Sequence, residues 1–337
     1  ETDLRGVNMT YSRIAIPRIY TDWINWELTT GKMATTDLTQ SGITSTDPIE
    51  MFDLNPSNVI TIGGSGTSTQ HAIKINTNIT TDSYMNIDFC AILGHNFKQA
   101  DVKFKLQTDD ASGFGSPQTP DLTEVVNIGG DTTGEAYATP ANNGWSLFTF
   151  SQSTDNQYIR LLIDPGTENY DADIKIGAIL LGSFYDFPHR ADLKLSRNND
   201  FDNDLNGARG GKRFSNLKHK GSADWFVNQW RLTTGTGPDS SRYYGRRIYD
   251  LNFSYIDDTE MQSNDFNLND MYLDTGKKFY NSVTNKIFGS HFPFIFQPDN
   301  TNATATSGFV FARMTSLKET QTGVNLWNIQ MKLEEEF

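Results

Sequence analysis

Side chains that alternate apolar and polar at every second position suit a half-buried strand, because successive Cβ atoms of a strand point to opposite faces. This chain repeats that pattern in short runs along much of its length. In residues 102–107, Val102, Phe104 and Leu106 share one face and Lys103, Lys105 and Gln107 the other. In residues 248–255, Tyr249, Leu251, Phe253 and Tyr255 oppose Ile248, Asp250, Asn252 and Ser254. Near the end, Trp327, Ile329, Met331 and Leu333 oppose Leu326, Asn328, Gln330 and Lys332. Residues 71–79 and 157–163 alternate in the same way. Apolar runs of strand length occur at 58–64, 85–95, 144–150, 172–188, 292–299 and 308–317.

Between the runs lie Gly, Asn, Asp, Ser and Thr, the residues that make turns. The 22 Phe, 13 Tyr and 6 Trp also favour strands. The expectation is a mainly β chain: a jelly-roll β-sandwich, then a second β-sandwich or barrel with one packed α-helix. Three units are expected. Residues 1–30 read as an extended N-terminal arm, where Pro17 disfavours a helix through the centre. Residues 31–187 form the sandwich, and residues 188–337 a second, β-rich assembly domain. The boundary falls at "DFPHRAD" (186–192), where Pro188 stops a strand. The helix is expected near 276–289, because Phe279, Val283 and Ile287 recur four residues apart and Gly289 and Pro293 close the segment. No fixed-period repeat suggests a solenoid.

Charge divides the chain unevenly. Residues 1–188 carry 23 acidic and 10 basic side chains, residues 189–337 18 of each. The acidic first part should repel nucleic acid and anionic membranes, and no apolar run reaches the roughly 20 residues of a membrane helix. The first residues show no basic start leading into an apolar core, so no signal peptide is read there; the chain begins at Glu1, which leaves room for a preceding leader. One stretch, 208–220, holds Arg209, Lys212, Arg213, Lys218 and Lys220 without an acid. It reads as a solvated loop or as a docking loop for an acidic face, such as that of a neighbouring copy. Trp23 and Trp26 likewise have two readings: packing on their own domain, or an arm packing on another subunit.

Chemistry is sparse. Five histidines, His71, His95, His189, His219 and His291, have no metal-pair spacing. Asp200, Asp202 and Asp204 resemble the start of a calcium loop but lack its glycine and its closing glutamate. No phosphate loop, dinucleotide glycine fingerprint or nucleophile elbow is present. The single cysteine, Cys90, excludes an intrachain disulfide and sits in "FCAIL" as a core residue. No catalytic residue, metal or cofactor is expected. His95 and Asn96 leave the strand in "ILGHN", where they can bond backbone groups that the sheet no longer satisfies; ligand binding is the alternative.

"CAILGHNFKQADVKFKLQ", followed by "GWSLFTF", "YIRLLI" and "KIGAILLG", resembles the galactose-binding, discoidin-like jelly roll. In particular it is similar to copies in tail and baseplate proteins of tailed bacteriophages. The resemblance covers roughly 50–187. The second half resembles, more loosely, the ring-forming domain of phage distal-tail and tail-tube proteins, through "PFIFQPD", "FVFARM" and "NIQMKLEEEF". What this implies is a virion structural protein of the tail tip, baseplate or adaptor, located in the virion tail. Its partners would be copies of itself in a ring and other tail proteins. The alternatives are a host-attachment module that binds surface glycans, and a capsid decoration or fibre-base protein.

Overall fold

The computed structural model describes residues 16–41, 48–78, 87–133, 136–151, 157–165, 168–192, 196–200, 204–207, 213–216, 246–261, 277–301 and 309–336. The first half runs β1 (Arg18–Asp22), helix α1 (Ile24–Thr30), β2 (Leu38–Ser41), β3 (Ile60–Gly63), β4 (His71–Asn76), β5 (Phe89–His95) and β6 (Lys103–Asp109). It continues with β7 (Leu122–Val126), β8 (Gly144–Phe150), β9 (Tyr158–Asp164), β10 (Ile174–Ile176) and β11 (Ala178–Asp186). The second half has β12 (Ser196–Asp200), β13 (Asp204–Gly207), β14 (Arg213–Asn216), β15 (Arg246–Asp257), the short helix α2 (Asp258–Met261), β16 (Phe294–Gln297), β17 (Val310–Gly323) and β18 (Leu326–Glu335). The mainly β expectation holds.

Ten strands form one antiparallel sheet in the order β12-β15-β18-β17-β16-β1-β11-β5-β8-β7. A four-stranded sheet, β2-β4-β9-β6, packs on its first-half end. Ile73, Ile75, Ile159, Leu161, Ile163, Phe104 and Leu106 of the small sheet meet Cys90, Ile92, Phe148, Phe150, Ile179 and Leu181 of the large one. This is the sandwich. Gly94, next to last in β5, holds φ +68, and a Cβ there would lie 2.7 Å from the Pro56 carbonyl oxygen. That approach explains the glycine of "ILGHN".

The strand β1 is the structural link between the halves. It pairs with β11 from Arg18↔Asp186 to Asp22↔Gly182, and with β16 from Arg18↔Gln297 to Tyr20↔Ile295. Of the expected arm 1–30, residues 1–15 lie outside the described residues, and the rest is a central strand followed by a helix. Residues 24–30 turn helical after Asp22, whose Oδ2 accepts the N–H of Asn25 at 2.9 Å. A Cβ on Gly182 would stand 2.1 Å from the Thr21 carbonyl oxygen, so β1 seats only against a glycine. Among the described residues of the second half, β15 to β18 extend the sheet of the first half. The second-half core gathers Ile19, Tyr185 and Phe187 with Tyr249, Leu251, Phe253, Phe294, Phe296, Ile329, Met331 and Leu333.

The expected helix is shorter than its spacing suggests. Tyr280–Thr284 forms a π-helical turn, and turns continue to 291. Phe279, Val283 and Ile287 are buried as the spacing requires. Tyr255 departs from its expected face. A bulge between Phe253 and Ile256 shifts the register of β15 against β18, so Ile256 takes the buried position and Tyr255 is 73 % exposed.

Candidate functional site

His95 lies at the end of β5, opposite Gly144 after a bulge. Its Nδ1 accepts the Phe97 N–H at 3.3 Å, which leaves Nε2 to donate to Ser146 Oγ at 2.9 Å. Ser146 Oγ donates in turn to the Asn127 carbonyl at 2.7 Å. The ring stacks on Phe97 with centroids 4.4 Å apart. Burial lowers the imidazole pKa to about 3, so it is neutral in ordinary buffers. Asn96 joins a neighbouring segment: its Nδ2 donates to Asp173 O and its Oδ1 accepts Lys175 N–H. Every one of these contacts is internal. They tie β5, β8 and the 173–175 segment together.

Trp23 and Trp26 are buried inside their own chain, at 0 % and 2 % exposure. Trp23 Nε1 donates to Ser183 Oγ at 3.1 Å. The Lys286 ammonium sits 3.7 Å from the Trp23 ring and 3.5 Å from the Trp26 ring. Neither indole is left for another subunit, which corrects the inter-subunit reading. Glu27 of α1 is buried beside this cage. Desolvation raises its pKa to about 7, against the pull of Lys286 and Lys32.

The basic stretch 208–220 falls largely outside the described residues: Arg209, Lys212, Lys218 and Lys220 are not among them. Arg213 opens β14, in register with Gly207 of β13. Of the three calcium-loop candidates, Asp200 ends β12, Asp204 begins β13, and Asp202 is not described. Among the described residues no group of three or more His, Cys, Asp or Glu could hold a metal ion.

The feature that sequence reasoning missed is a pair of sheet edges. Strand β17 pairs with β16 only over Val310–Ala312, then runs on to Gly323 with β18 on one side. Among the described residues nothing pairs with its other side beyond Ala312. At the opposite end of the sheet, β12 has β15 on one side only among the described residues. The ribbon β15-β18-β17 carries a polar face of Asp250, Asn252, Ser316, Lys318, Thr320, Asn328, Gln330 and Lys332. At its far end Tyr255 and Val324 stand out, at 73 % and 88 % exposure. The edges at β6 and β7 are partly covered: Gln118 and Ala138 bridge to β6, and Leu122 of β7 donates its N–H to Thr132 O. Alternation marked these strands in the sequence, but an open edge depends on where the neighbouring strand stops.

No protein-family model matches the chain, and no curated protein sequence does. One solved structure resembles part of it: chitosan-binding module 1, derived from the chitosanase/glucanase of Paenibacillus sp. IK-5. The likeness covers 43 % of this chain and 93 % of that one, at 16 % identity and a TM-score of 0.29. At that level it carries no statement about function.

Proposed function

We propose that this chain is a structural subunit of a tailed-phage virion, at the tail tip, baseplate or tail adaptor, that joins copies of itself edge to edge. The observation that carries the edge-to-edge part is the four-strand section β12-β15-β18-β17, with an open edge on each side among the described residues. Each open edge offers alternate backbone N–H and C=O groups to an incoming strand. An even number of strands means that a copy repeated beside the first keeps antiparallel alternation across the junction. A head-to-tail contact of this kind closes into a ring when its rotation permits. The virion assignment rests on the likeness of the 92–96 turn and the C-terminal strands to phage tail proteins.

The glycan-attachment reading gains less. Ring stacking on sugars calls for exposed aromatics, yet among the described residues of 48–192 the exposed large hydrophobic side chain is Val59. Native mass spectrometry and negative-stain imaging of the purified full chain test the proposal. The expected result is a closed ring of identical copies. A chain that stays monomeric at every concentration overturns it.

A further inference from the structure

The outer face of the four-stranded sheet carries one row of side chains in register across all its strands: Thr39 of β2, Lys74 of β4, Arg160 of β9 and Gln107 of β6. Neighbouring strands lie about 4.8 Å apart, so the two cations are adjacent. Like charges directly opposite each other on paired strands are destabilising. Residues 1–188 hold only 10 basic side chains against 23 acidic ones, yet two of those bases face each other here. A bound anion between them would turn that cost into a gain.

The surroundings hold the pair in place. Gln107 Oε1 accepts Arg160 Nε–H at 2.8 Å, and Gln107 Nε2 donates to Thr119 Oγ1 at 3.1 Å. The buried Phe114 ring packs against both cations, with Arg160 Cζ 4.3 Å and Lys74 Nζ 5.7 Å from its centroid. Three carboxylates on or beside this face are engaged elsewhere. Asp37 accepts from Ala34 N–H, Asn76 Nδ2 and Asn78 Nδ2. Asp109 accepts from the Ala111 and Ser116 N–H groups, and Asp164 from Gln70 Nε2 and Tyr137 OH. Among the described residues Lys74 forms no ion pair. Lys74 and Arg160 are partly exposed, and the Thr39 and Ser41 hydroxyls at the β2 end are exposed.

We infer that Lys74 and Arg160 bind the carboxylate of a sugar acid in a glycan chain, with Thr39 and Ser41 meeting sugar hydroxyls beside it. A guanidinium next to an ammonium suits an anion with two oxygens. The Gln107 end of the row is closed by the 110–143 segment, through Thr119 and the bridge from Gln118 to Thr108. The ligand therefore approaches over β4 and β2. The groups at that end are neutral hydroxyls, which suit a ligand carrying one charge per sugar. A dense polyanion such as nucleic acid meets repulsion from the acidic surroundings. A site that reads charge needs no exposed ring. It lies on the small sheet and is independent of the edge-to-edge reading, whose open edges belong to the large one.

The test is titration calorimetry of the full chain with oligogalacturonate, a hyaluronan oligosaccharide, the methyl esters of both, a neutral glucose oligomer and inorganic sulfate. At least one of the two acidic oligosaccharides is expected to bind, and its methyl ester to bind on the order of tenfold more weakly or worse. Lys74→Gln and Arg160→Gln should each weaken binding by a similar factor, and Lys74→Arg should retain it. Without ligand, Lys74→Gln should melt no lower than the unaltered chain, since it removes one of two facing like charges. A lower melting temperature would show that the cation serves its own fold and would count against the site. Binding of neither acidic oligosaccharide overturns the inference, as does equal binding of acid and ester, or sulfate bound as tightly as the oligosaccharide. An assembled ring that ignores acidic glycans removes this inference alone, and a monomer that binds them removes the edge-to-edge reading alone.

Discussion

At the scale of single residues, two buried titratable groups act on stability in opposite directions. Glu27 titrates near 7 in the fold against about 4.5 ordinarily. Between those values the native state holds a proton that the unfolded chain has released. Its contribution is complete below about pH 4.5 and is lost as pH rises through 7. Glu27→Gln should therefore gain stability relative to the unaltered chain as pH rises across that window, by up to about 3 kcal/mol. Urea unfolding at pH 4.5 and 7.5 checks this, and an equal offset at both pH values would count against it. His95 has the other sign, since its folded pKa of about 3 lies below the ordinary 6.5. Stability from its neutral form is lost as pH falls between those values. His95→Ala, which strands the Phe97 N–H and Ser146, should cost on the order of 1–3 kcal/mol at pH 7; urea midpoints that do not move would contradict the role.

At the scale of elements, β15 and β18 are joined at one end by charge and strained near the other. Arg247 and Glu335 form a buried two-point pair, with contacts of 2.6 and 3.0 Å, and the Arg247 N–H also reaches Glu335. Removing one partner leaves the other charge buried alone. Glu335→Ala should cost roughly 3–5 kcal/mol, while Arg247→Met with Glu335→Leu should cost much less. Denaturant titration of both separates the pair from mere packing. Towards the tip, Tyr255 holds φ 64, which non-glycine residues adopt at a cost. Its N–H is retained by Asn328 Oδ1 at 3.1 Å. Tyr255→Gly should leave the isolated chain unchanged or about 1 kcal/mol more stable, read as a rise in melting temperature; a marked fall would show that the exposed ring is needed by its own chain.

At the scale of the whole molecule, the strands were legible and their grouping was not. Alternation located β4, β6, β9, β15 and β18, because each turns one apolar face to a core. The apolar runs located β5, β8, β11 and β16. The strand β7 was lost in the polar stretch 108–143, where only Leu122 and Val126 of five residues are buried. Lys105 and Gln107 look solvent-facing by alternation, yet are 8 % and 3 % exposed. The Lys105 ammonium lies over the Tyr137 ring, and Gln107 Nε2 bonds Thr119, so the 110–143 segment covers that face. The bulge at Tyr255 escaped notice because an inserted residue leaves the alternation of letters intact while turning the side chains over. The role of β1 had no local signal. Five residues beside Pro17 join two halves because of what stands at 182–186 and 295–297, and such partners are set by tertiary register.

Candidate site residues divided along the same line. The His95 turn could be placed from its flanking strands. The open edge of β17 could not, because it exists only where β16 ends. The measurement that bears most directly on edge-to-edge assembly is peptide-resolved amide hydrogen exchange across Thr315–Gly323, compared between dilute and concentrated full-length chain. Alternate amides of Ser316–Gln321 should be exposed when the chain is dilute and become protected on assembly, together with those of Ser196–Asp200. Fast exchange of both edges in an assembled particle would contradict the account.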